Sequence, residues 1–155
     1  MSRAHHVNDV LRNFGNEVGL EVELGKDDRT SLRFDDVLVT FAYRQQPIEM
    51  LWIYADLGPI PKNGTMVPSL LLELNLHCWL GSVMTISTDR SGTRAVGHNM
   101  MPLPTLDAAS FKAVLKAMLD ATVQIRDLLA RAEQHAPGSP GGYRDAQMPK
   151  GSLRV

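Results

Sequence analysis

The sequence predicts an α+β domain in the order α-β-β-β-α-β-β-α, an antiparallel twisted sheet packed with helices. Three observations predict it. Apolar residues recur at helical spacing near both ends of the stretch 4–132. Between those ends lie short runs rich in β-branched and aromatic residues, separated by brief turns. A Leu-rich segment opened by Pro68 splits the runs into three and two, which suits a helix packed with an antiparallel sheet.

The elements follow in order. Val7, Val10, Leu11, Phe14 and Val18 make one stripe of a helix over 4–18, with Gly19 placed as its C-terminal stop. Gly15 inside that helix costs up to about 1 kcal/mol relative to Ala. Residues 20–36 are acidic, with six Asp/Glu against three Lys/Arg. Within them "LEVEL" alternates like a half-exposed strand, "KDDRT" turns, and "SLRFDD" alternates again. "VLVTFAYR", 37–44, is a strand, "QQP" turns, and "IEMLWIYADL", 48–57, is the next strand. Short links between them predict a meander. The helix 68–80 follows and Gly81 ends it. "SVMTIST" and "TRAVGHNM" are two strands joined by "DRSG". Thr105 or Asp107 caps the last helix. Its Phe111, Leu115, Met118, Thr122, Ile125, Leu129 and Ala132 follow a 4-3-4-3 spacing, one stripe toward the core. Residues 136–155 lack periodicity and are rich in Gly, Pro and Ser. They are expected to be a disordered tail behind a folded domain of residues 1–135.

Composition narrows the function classes. The 155 residues are 44% hydrophobic and 21% charged, ordinary for one soluble globular domain. A single cysteine, Cys78, excludes an internal disulfide and fits a reducing compartment. The first residues lack the apolar core of a secretory leader, and no stretch approaches about 18 apolar residues. The formal charge of −1 divides unevenly. Residues 1–135 hold 13 Lys+Arg against 16 Asp+Glu, a net of −3; residues 136–155 hold three against one, a net of +2. A basic footprint for nucleic acid is missing.

Candidate chemistry is sparse. His5 and His6 are neighbours, as are His77 and Cys78, so neither pair has the i, i+4 spacing of helical metal ligands. Asp27, Asp28, Asp35 and Asp36 lie in turn-rich, solvated sequence, whereas acid–base work needs carboxylates with their pKa values pushed apart. No nucleophile elbow or phosphate loop is present. No catalytic residue, metal site or cofactor is expected.

Two surfaces stand out instead. In the strand 37–44, Val37, Val39, Phe41 and Tyr43 form one face and Leu38, Thr40 and Ala42 the other. In the strand 48–57, Ile48, Met50, Trp52 and Tyr54 form one face and Leu51, Ile53 and Ala55 the other. Both faces are apolar, whereas a sheet with one solvated face should alternate with polar residues. Either the chain's own helices cover both, or a partner covers one. Leu38, Val39, Phe41, Ala42, Trp52 and Tyr54 are the candidate partner-binding residues, and alternation does not say which face is free. The helix 68–80 has leucines nearly all round, so it is buried on more than one side. A homodimer solves this, because a two-fold interface buries one patch against its copy. Leu72 and Leu76 are the outward choice, with Leu71 and Leu74 as further interface candidates.

The whole order resembles the type III secretion chaperones of the CesT-like (Tir chaperone) family. The similar elements are a first helix ending in "VGLEVEL", the acidic "LRFDD", the strand "EMLWIYADLGPIP", the helix "LLLELNL" with its Asn, the hairpin "VMTISTDRSGTRAVGHNM" and the closing "PLPTLDAASFKAVLKAML". The resemblance covers residues 4–132. It departs from the family in the mild net charge and the Pro/Gly-rich basic tail. It implies a bacterial cytoplasmic homodimer without catalysis. Such a protein binds the extended N-terminal segment of a secreted effector, keeps it export-competent and presents it to the secretion ATPase. Membrane insertion is not implied. The alternatives are a small-molecule or lipid-binding α+β module enclosed by the two apolar faces, and an enzyme built on that cavity.

Overall fold

The computed structural model describes residues 4–61 and 67–134. The predicted tail, 136–155, lies outside them. The elements are α1 (Ala4–Val18), β1 (Arg29–Phe34), β2 (Val37–Arg44), β3 (Met50–Pro59), α2 (Val67–Leu80), β4 (Thr85–Thr88), β5 (Arg94–Pro102), a short 3-10 turn (Leu103–Thr105) and α3 (Ala108–Gln134). The order is the predicted one. The five strands form one antiparallel sheet, β1-β2-β3-β5-β4. The chain therefore leaves β3 through α2, reaches the far edge at β4, and returns as β5 beside β3.

The core lies on one face of this sheet. Val37, Val39, Phe41, Leu51, Ile53 and Ala55 point into it, and α1 and α3 close it with Val7, Leu11, Phe14, Phe111, Leu115 and Met118. Phe111 joins the layers, with its ring 5.4 Å from both Phe14 and Phe41. The predicted α3 stripe is buried from Phe111 through Leu129, and buried Thr122 donates its hydroxyl to the Met118 carbonyl at 2.7 Å. Asp107 caps α3: its Oδ1 accepts from the Ser110 N–H at 2.8 Å, and its own N–H donates to Ser110 Oγ.

One expected strand is absent. "LEVEL" does not join the sheet; residues 20–25 form an irregular strap against α1. Val22 is buried, the Leu20 N–H donates to the Gly15 carbonyl, and the Leu24 N–H donates to Asn8 Oδ1. Its alternation therefore reflects contact with a helix. The same contact explains Gly15, where any Cβ would collide with the Leu20 carbonyl oxygen. β3 is displaced two residues from its expected bounds. Ladder pairing with β2 begins only at Met50, and a register shift between Asp56 and Gly58 lets pairing with β5 run on to Pro59.

Candidate functional site

The first surface is the sheet face turned away from α1 and α3. Strand pairing assembles it. Thr40 stands opposite Tyr54 and Ala42 opposite Trp52; Trp52 in turn faces Met100, and Tyr54 faces His98. The rings form a slab. Trp52 and Tyr54 stack at 5.7 Å, and His98 lies 5.9 Å from the indole. Burial in this slab pushes the His98 pKa down, so the imidazole is held toward its neutral form. Leu38 is 39% exposed at the β2 end and Met100 is exposed at the β5 end. Among the described residues, no helix stripe covers the slab.

The predicted docking residues separate accordingly. Leu38, Trp52 and Tyr54 lie on the open face; Ala42 shares it but is buried beneath longer neighbours. Val39 and Phe41 are corrected: at 1% and 0% exposure they belong to the core beneath α1 and α3 and offer a partner nothing. Among the described residues, one face of the sheet is filled by the chain's own helices, so the two apolar faces do not enclose a cavity between them.

The second surface is the outer side of α2. Leu72, Leu76, Trp79 and Leu80 fall at helical spacing on one side, with Leu72 at 71% and Trp79 at 64% exposure. Leu70, Leu71, Leu74 and Cys78 face inward against the core, and burial raises the Cys78 thiol pKa. So the outward choice of Leu72 and Leu76 matches the exposure, while Leu71 and Leu74 are turned the other way. Asn75 fixes this orientation: its Oδ1 accepts from the Ile86 N–H at 2.7 Å, tying α2 to β4. Residues this reading missed adjoin both surfaces. Trp79 follows Leu72 by seven positions and was legible from helical spacing. Met100 and His98 needed cross-strand register. A hollow of about 250 Å³ lined by Trp79, Met84, Thr85, His98, Asn99 and Met100 joins the two surfaces.

At the opposite end of the sheet, ion pairs tie the elements. Arg126 on α3 donates to the Asp56 carbonyl and to Asp36 Oδ2, and Arg94 donates to both Asp56 carboxylate oxygens. Burial pushes the Asp56 carboxyl up, but Arg94, the Gly58 N–H and Arg126 together hold it below its usual value. Among the described residues, no group of three or more His, Cys, Asp or Glu could hold a metal ion. No helix of the described residues is long and apolar enough to cross a membrane.

A family model, the Tir chaperone protein (CesT) family, matches residues 9–126. Solved structures share the fold. The ExsC–ExsE complex contains a chain similar at 25% identity and TM-score 0.74, covering 83% of this chain and 97% of that one. A chain of the HopA1–SchA chaperone–effector complex is similar at 13% identity and TM-score 0.68, covering 80% and 95%. A third is in the Yersinia pestis type III secretion chaperone SycH with a fragment of YscM2: 18% identity, TM-score 0.60, covering 76% and 98%. No curated protein matches the sequence.

Proposed function

The chain belongs to the Tir chaperone protein (CesT) family, and from that membership we propose that it is a type III secretion chaperone for one or more effector proteins. It binds the extended N-terminal segment of an effector, keeps it soluble and export-competent, and presents it to the secretion ATPase in the bacterial cytoplasm. It acts by binding, without turnover. Two copies join through the outer stripe of α2, where Leu72, Leu76, Trp79 and Leu80 are exposed on one side. The observation that carries the docking reading is the uncovered slab of Trp52, Tyr54 and His98 with Leu38 and Met100 beside it. An extended segment lays alternate side chains onto such a face.

Calorimetry with effector N-terminal fragments tests this. At a fragment concentration about 100-fold above the dissociation constant, mass action raises stability by about 2.7 kcal/mol. Trp52→Ser should abolish that gain while the fold survives. Unchanged binding in Trp52→Ser and Leu38→Glu would remove the open face as the docking surface.

A further inference from the structure

The open face is chemically lopsided. Its β3–β5 half is aromatic and apolar, whereas its β1–β2 half carries guanidinium groups. Arg29 stands opposite Ala42 and Arg33 opposite Leu38, and Arg44 lies two positions beyond Ala42, so all three project from this face. All three are exposed. None forms an ion pair among the described residues, whereas Arg12, Arg94, Arg126 and Arg131 each hold a carboxylate.

The surroundings leave these cations uncompensated. Arg33 borders a hollow of about 460 Å³ whose carboxylates, Asp36 and Asp56, are already engaged by Arg126 and Arg94. Arg29 and Arg44 share a hollow of about 430 Å³ with Asp27 and Asp28, and neither aspartate reaches ion-pair distance. The strip is also against the charge of its own domain, which is net −3 over residues 1–135. Positive side chains on an edge strand blunt unwanted pairing, which accounts for a charge on β1. Arg44 lies on β2, which is paired on both sides, so edge protection does not account for it.

We propose that the open face selects client segments of mixed apolar and acidic pattern. Aliphatic or aromatic side chains lie on the Trp52–Tyr54–His98 slab, and carboxylates reach Arg29, Arg33 and Arg44. This rests on the docking reading and adds to it the chemistry of the segment chosen. Arg29 and Arg33 are four residues apart on one strand, about 13 Å at strand rise. Carboxylates four residues apart in an extended segment running along β1 therefore meet both forks. A guanidinium fork binds a carboxylate bidentately. Lys or Arg at the same positions meets like charge and is rejected.

Two matched, labelled 16-residue peptides test this against the full chain by fluorescence anisotropy. Both carry the same Leu, Val and Phe residues; one has Glu and the other Lys at the remaining charged positions. The Glu peptide should bind at least about tenfold tighter at low salt, and the advantage should shrink as salt shortens the screening length. The double variant Arg29→Glu/Arg33→Glu, which alters only exposed side chains, should invert the preference with an unchanged melting temperature. Equal binding of the two, preference for Lys, no binding of either, or a preference untouched by the double variant overturns the proposal. Trp52→Ser separates the two layers of the argument. If it weakens whichever peptides bind while they bind equally, docking stands and the charge selection falls; if binding survives it unchanged, the docking reading falls.

Discussion

The two faces of the central strands are almost equally apolar, yet they meet different fates. Val39, Phe41, Ile53 and Ala55 are closed off completely, while Leu38, Trp52 and Tyr54, their immediate neighbours in sequence, lie on the face that no helix stripe of the described residues covers. The strands themselves do not decide this. The chain owns two clear amphipathic stripes, those of α1 and α3, and both are spent on one face. The third helix, α2, hangs on the β4 edge through Asn75 and keeps an apolar side of its own outward. An apolar surplus thus remains on two connected surfaces.

Substitutions at matched positions of the two faces should break this symmetry most strongly. Phe41→Ala removes a ring packed on Phe111 and should cost about 3–5 kcal/mol in chemical denaturation. Tyr54→Ser, one strand away on the other face, should cost less than about 1 kcal/mol and be felt in client binding instead. Comparable losses in both would mean that the open face is covered in solution.

Leu76→Glu addresses the second surplus surface. A carboxylate in an apolar two-fold interface is desolvated without a partner. Light scattering should report a shift from dimer to monomer, with the circular dichroism of the fold retained. A folded dimer would take α2 out of the interface. Gly15→Ala probes the strap instead: the new methyl meets the Leu20 carbonyl, so overpacking should cost about 1–3 kcal/mol. A neutral or stabilising result, as ordinary helix propensity would give, would show that the strap moves aside freely.

These contrasts indicate what the sequence made legible. Element order and the α3 stripe were readable because a 4-3-4-3 spacing fits only a helix with one buried side. The outward Leu72 and Leu76 were readable for the same reason. The free sheet face was not, since two apolar alternations carry no information about which one a distant helix will reach. "LEVEL" misled because period two signals contact on one side only and does not say whether a strand or a helix provides it. The arginine strip needed register: Arg29, Arg33 and Arg44 become one surface only once β1 pairs with β2.

The smallest expected effect separates the β4–β5 hairpin end from the docking half of the sheet. Asp89 opens the turn before β5, where its Oδ1 accepts from the Thr93 and Arg94 N–H groups and its Oδ2 from the Ser91 hydroxyl. The Ser91 hydroxyl first, then the Arg94 N–H, holds the carboxyl down at about 2. A carboxyl depressed in the folded state stabilises the fold above its unfolded value of about 3.9, and that contribution is lost as pH falls toward 2. The melting temperature should therefore decline across that window, and the decline should be shallower in Asp89→Asn, which keeps an acceptor oxygen but cannot titrate. The group lies in a surface turn and is partly exposed, so the difference should be small and should shrink in high salt. Identical acid limbs in the two proteins would mean that hydrogen-bond geometry, not charge, holds the turn. The change should leave peptide binding at neutral pH untouched, since the turn lies beyond the aromatic slab.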